Sequence, residues 1–324
     1  MRDIYQRLAA AGLKRRFLLK AVLPDWWNDA LAKVPANREL AEIYLSKSLG
    51  LRIAALRDPA RPLDLPIGEV RFKRSKRAED RTVATSAFIA WRAGQILAEA
   101  IDLPAFERCS SPVDVREWIF GCGHRFVDLQ ALLDFCWEHG VIVYHLGAQP
   151  EGQHRLDGMA MFCGSRPAIM LGSKRSDPAW LAFHLAHELA HVLRNHVSPG
   201  SAPLADSDLQ ANMDRDVQEA EANRWALWIL TGSEEPVFGE PGLGGVGLSS
   251  YARRTALAAR IDPGVICLVY AQRNNAWPQA ALALKSLGRD QEAKALIDHA
   301  LRAHTDPAHL PEAPARFLEA VLAA

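Results

Sequence analysis

The 324-residue sequence predicts an α+β fold, in which a small sheet and two partnered helices form a core that is flanked on both sides by helical regions. Three observations predict it. Residues Gly140 to Leu146, Asp157 to Cys163 and Ala168 to Leu171 are short apolar runs rich in Val, Ile, Met and Phe, separated by Gly, Pro and Ser, as expected of strands. Trp180 to Leu193 then runs without Gly or Pro behind an Asp177-Pro178 start signal, which predicts a long helix. The segments before and after this core carry helical periodicity broken by Gly and Pro.

In chain order, residues 1–65 read as a string of helices, Tyr5 to Ala11, Lys14 to Leu23, Trp26 to Val34 and Arg38 to Ser48, divided by Gly12, Pro24 and Pro35. Within it, Glu39 to Leu51 has the look of part of a degenerate helix-turn-helix, although few of its side chains are obvious base readers. Residues 66–124 form a basic linker and connecting helices, Arg81 to Ile101 and Val113 to Ile119. The linker carries Arg71, Lys73, Arg74, Lys76 and Arg77, a patch able to grip phosphates but partly balanced by Glu69, Glu79 and Asp80. Residues 125–235 hold the strands and the two helices of the core. Residues 236–324 follow a breaker-rich boundary at Pro236 to Gly247 and read as helical, with a capping signal at Asp262-Pro263. Ala280 to Arg289 and Glu292 to Leu296 have the pattern of one tetratricopeptide-like helix pair, and one pair cannot bury its own face, so docking onto the core is expected.

The chemistry is carried by His187-Glu188-Leu189-Ala190-His191. Residues four apart are neighbours on one helix face, so His187 and His191 can hold one zinc ion while Glu188, one position on, reaches the water it activates. Leu181, Leu185, Leu189 and Val192 form a separate apolar stripe for packing. A third ligand is expected from the helix at Asp214 to Leu230, and Glu219 is the choice, because it shares a face with Ala222, Asn223 and Ala226, whose small alanines allow close approach. Glu221 is read as facing nearly the opposite way. Asn223, one turn beyond Glu219, is expected to accept the second ring N–H of a zinc histidine. His184 is read either as an extra proton donor or oxyanion stabiliser, or as a buried histidine bonded to a neighbour, and His196 as a helix C-terminal residue favoured by the dipole.

The segment Phe183 to His191, followed by Glu219-Ala220-Glu221-Ala222-Asn223-Arg224-Trp225-Ala226, resembles the ImmA/IrrE-type metallopeptidases. The likeness extends upstream through Leu132 to Val143 and downstream through Leu257 to Val265. It implies a minimal zincin, with His187, His191 and Glu219 as zinc ligands and Glu188 as general base. It also implies a protein substrate, a DNA-binding repressor or antitoxin-like regulator cleaved in response to stress or a mobile-element signal. Two departures, His184 where a small hydroxyl residue is common and Trp180 where a basic one is, imply different handling of substrate. The alternative of another class is a non-catalytic transcriptional regulator or antitoxin-like protein with a structural or sensory zinc. If the strand Ala168 to Leu171 forms an open edge near the metal, an extended peptide can add to it.

Composition narrows the setting. Lys and Arg together number 38, equal to Asp and Glu, so nothing draws the whole chain to nucleic acid or acidic lipid, and any such contact must be local. Five cysteines with no C-x-x-C pair point to reduced thiols, and the start lacks a signal-peptide core, so a cytoplasmic location without membrane contact is expected.

Overall fold

The sheet that positions the site lies between two helices. The computed structural model describes residues 1–60, 63, 65, 71–72, 77–147, 155–206, 217–288, 293–306 and 310–322, without the side chains of 71–72, 77–82 and 206. The chain opens with α1 (Arg2–Ala10), then α2 (Arg15–Phe17), which runs into a π turn at Leu18–Val22, and a 3-10 turn at Asp29–Lys33. That last element is shorter than the predicted helix because Asn28 caps it, its side chain accepting from the Ala30 amide. Next come α3 (Pro35–Leu49), closed by Gly50 at φ 65°, and α4 (Ile53–Arg57). In α4, Arg57 turns back onto the α3 carboxylates Glu39 and Glu42.

Strand β1 (Arg71–Phe72) precedes the long α5 (Arg77–Ala100), α6 (Pro112–Gly121) and α7 (Leu129–Glu138), the last two capped by Ser111 and Asp128. Of the basic patch, Lys73, Arg74 and Lys76 lie outside the described residues, and only the backbone of Arg71 and Arg77 is described.

The three predicted strands form, as β2 (Ile142–His145), β3 (Gly158–Cys163) and β4 (Arg166–Leu171). All but Arg166 of their residues are buried, which explains why they read as continuous apolar runs rather than alternating ones. A further strand, β5 (Leu204–Asp206), joins them, giving the mixed order β1-β5-β3-β4-β2. β3 and β4 are an antiparallel hairpin, β2 runs parallel to β4, and β5 is antiparallel to β3 with Gly158 opposite Asp206. The expectation of an open edge at Ala168 to Leu171 is therefore corrected: β4 is hydrogen-bonded on both sides, by β2 and β3. Among the described residues the edges of the sheet are β1 and β2.

Helix α8 (Pro178–Leu193) packs against β3 and β4 on one face of the sheet, and α5 packs against the same strands and β2. Asp177 caps α8, its side chain accepting from the Ala179 amide at 2.8 Å. Helix α9 (Val217–Thr231) lies along α8, with Ala222 and Ala226 fully buried between them, while residues 214–216 of its predicted start lie outside the described residues. The rest is helical: α10 (Gly245–Ala259), α11 (Pro263–Asn274), α12 (Trp277–Leu287), α13 (Ala293–His304) and α14 (Glu312–Leu322). α11 packs on α8, and α13 lies over β2 and α7, where His304 stacks on Trp137 at 4.4 Å between ring centres. α14 returns to the N-terminal helices, where the Ser48 hydroxyl donates to the Ala313 carbonyl and Phe317 meets Phe17 edge to face. Among the described residues, no helix is long and apolar enough to cross a membrane.

Candidate metal centre

Burial and helical spacing bring three donors to one point. His187 and His191 sit one turn apart on α8, 0% and 1% exposed, and their Nε2 atoms are 3.1 Å apart. Glu219 of α9, 4% exposed, places Oε2 at 3.3 Å from His187 Nε2 and Oε1 at 3.6 Å from His191 Nε2. Donors about 2.0 to 2.1 Å from a tetrahedral ion stand roughly 3.3 Å from one another, so these separations match the edges of a coordination face. The three residues can hold a metal ion.

The electrostatics agree with that geometry. Burial pushes the His191 imidazole down to about 4, against the opposing pull of Glu219, so it is neutral at neutral pH. Burial by itself raises the Glu219 carboxyl, but the two imidazoles facing it outweigh burial and hold it well below the usual carboxylate range. A carboxylate beside a neutral imidazole in a buried pocket is a donor set suited to a cation.

Glu188 is 2% exposed and lies against the start of β3. Gly158 makes this possible: a Cβ there would stand 2.2 Å from Glu188 Oε1 and 2.9 Å from its Cδ. The sequence reading missed Gly158. The available signal was a glycine at the head of an apolar strand, which marks close approach by another group.

His184, one turn before His187, is 4% exposed, and burial, followed by the proximity of His187 and Arg175, pushes it down to about 3. It is a neutral imidazole at neutral pH.

The expectation for Asn223 is corrected. His191 Nδ1 faces His196 Nδ1 at 2.9 Å, and among the described residues His187 Nδ1 has no hydrogen-bond partner and Asn223 Nδ2 is likewise buried without one. His196 reaches His191 because α8 ends in a Schellman turn. Asn195 takes φ 60°, its amide donates to the Val192 carbonyl, and the His196 amide donates back to the His191 carbonyl at 2.9 Å. Beyond it, His196 Nε2 lies 2.9 Å from Glu221 Oε2, whose other oxygen pairs with Arg194. Glu221 thus faces the end of α8 instead of pointing away from it.

No protein-family model matches the chain, and no curated protein matches it.

Proposed function

We propose that the chain is a zinc-dependent endopeptidase of the minimal zincin kind, and that its substrate is a DNA-binding regulatory protein. The observation that carries the first part is Glu188, a buried carboxylate adjoining the His187, His191 and Glu219 cluster. A site that only stiffens a fold needs three or four ligands and no further acid beside them. The second part rests on the resemblance of the α8 and α9 segments to the ImmA/IrrE-type metallopeptidases.

In this reading His187, His191 and Glu219 hold the ion. What bound zinc supplies is Lewis acidity, which polarises a carbonyl and brings the pKa of water to about 7. Glu188 takes a proton from the attacking water and delivers it to the leaving amine. His184, buried and neutral, has a ring N–H to offer to the developing oxyanion. The apolar wall of β3 and α8 keeps bulk water from the base.

The test compares newly formed protein N-termini in stressed host cells carrying wild type or Glu188→Gln, a substitution that removes the base and leaves all three ligands. Fragments of one repressor-like protein that appear only with wild type are the expected result. Identical profiles, with zinc bound in both proteins, would turn the reading to the non-catalytic regulator with a sensory or structural zinc.

A further inference from the structure

His191 and His187 are both set to face Glu219 through Nε2, but only His191 is gripped from behind. Its Nδ1 meets His196 Nδ1 at 2.9 Å, and His196 Nε2 meets Glu221 Oε2 at 2.9 Å. An imidazole nitrogen that contacts another imidazole nitrogen at this distance must have one proton between the two. Glu221 accepts from Arg194 through its other oxygen, so the carboxylate is the accepting end of the chain.

With one proton on each ring, counting from that end sets every position. Glu221 accepts from His196 Nε2–H. His196 then has its lone pair on Nδ1, and it accepts from His191 Nδ1–H. His191 in turn has its lone pair on Nε2, the atom that faces His187 and Glu219. Reversing the central proton would put a hydrogen on His191 Nε2 and spoil it as a donor to a cation. His196 is itself no fourth ligand, because one ring nitrogen faces His191 Nδ1 and the other faces Glu221.

We infer that His196 and Glu221 are positioning residues, a two-member relay that locks His191 in the tautomer able to bind metal and holds its ring plane. The inference rests on the reading of His187, His191 and Glu219 as a metal site. Neighbours of this kind typically change metal affinity by about 10- to 100-fold when removed. The turn that delivers His196 depends on Asn195 at φ 60°, a conformation asparagine tolerates better than most residues.

The test uses Co2+ as the probe on the full chain, together with 15N shifts of the histidine rings in the metal-free protein. Expected for wild type is the Nδ1–H tautomer of His191 before any metal is added, and one tightly bound cobalt with tetrahedral visible absorption. His196→Leu should weaken cobalt binding about 10- to 100-fold and mix the tautomers. His196→Asn, whose Oδ1 stands where Nδ1 stood and still accepts a hydrogen bond from His191 Nδ1–H, should recover most of the affinity, which a general packing defect would not allow. Glu221→Gln, which keeps the shape, should give a smaller loss and guards against misfolding of the leucine variant. Unchanged tautomer and affinity in His196→Leu would overturn the relay. So would a wild-type His191 that has its proton on Nε2. A failure of wild type to bind cobalt at all would instead strike the metal reading, and the tautomer measurement would still decide the relay.

Discussion

Glu42 and Glu219 are both buried glutamates, 3% and 4% exposed, and they are held in opposite ways. Glu42 of α3 receives Arg38 at 3.0 Å and Arg57 at 2.6 Å, full positive charges whose guanidinium ends reach half into solvent. These are closed, charge-assisted hydrogen bonds, and they answer the carboxylate where it sits. Glu219 faces imidazole nitrogens at 3.3 and 3.6 Å, and burial keeps the farther ring, His191, neutral at neutral pH. Those distances are long for charge-assisted hydrogen bonds and right for atoms that share an ion lying among them. The difference shows how one residue type, equally buried, fastens helices in one layer and joins a donor set able to hold a metal ion in another.

The sharpest extension of the comparison is a third buried glutamate, Glu188, which should neither fasten helices nor bind metal. Glu188→Gln is expected to lower peptide cleavage about 10³-fold, near 4 kcal/mol in activation free energy, with zinc content by atomic absorption unchanged. Loss of the ion in this variant would place Glu188 among the ligands and erase the distinction.

Acid should separate the sites next. His191 and His145 are pushed down to about 4, burial being the main cause in each, and His184 to about 3, while their unfolded values lie near 6.5. Below pH 6.5 the unfolded chain therefore binds protons that the folded chain refuses, and stability falls between about pH 6.5 and 3. His191 and His145 each contribute up to about 3 kcal/mol to that fall and His184 up to about 5 kcal/mol, at 1.4 kcal/mol per pKa unit. Glu42, held below its ordinary value by Arg57 and Arg38 against the effect of burial, contributes stability that is lost only at lower pH, through its own folded pKa. Denaturant midpoints of the metal-free protein across pH 3 to 8 should show the histidine window first, and a single loss confined below pH 4.5 would contradict this assignment.

Glu42→Gln should cost about 2 kcal/mol of stability whether or not zinc is present, and the rise in melting temperature on adding zinc should be the same as in wild type. A zinc response that shrinks with Glu42 would couple two sites that are here independent. The smallest effect is expected for Gly158→Ala. Its methyl group displaces the Glu188 carboxylate, for about 1 to 2 kcal/mol in activity, near tenfold, with metal retained. Full activity in this variant would show that the base is not held where β3 begins.

Much of this site was legible from the chain because its signals are local. The Asp177-Pro178 cap, the i,i+4 histidines and the alanine face of α9 each follow from spacing within one helix, and the strands from uninterrupted apolar runs. What was not legible depends on chain reversals and distant pairing. His196 reads as an ordinary residue after a helix until Asn195 turns left-handed and folds it under His191. A wheel of α9 alone turns Glu221 away from Glu219, yet it meets residues of the α8 terminus that no wheel contains. Three residues of β5 are too few to carry a pattern, and their pairing with β3 is fixed by the path of the chain after α8. The return of α14 to α3 and the π turn is of the same kind, a contact between the two ends of the sequence. The likeness of Glu39 to Leu51 to a helix-turn-helix leads, in the fold, to α3 followed by the five-residue α4, with Arg57 spent on Glu39 and Glu42.

The central claim is that Glu219 completes a metal centre while Glu42 completes a packed layer. Equilibrium dialysis of the purified chain against zinc tests it most directly, comparing wild type, Glu219→Ala and Glu42→Ala at one free zinc concentration. One zinc per chain in wild type and Glu42→Ala, with most of it lost from Glu219→Ala, is the predicted result. Equal zinc in all three, or none in wild type, would contradict it.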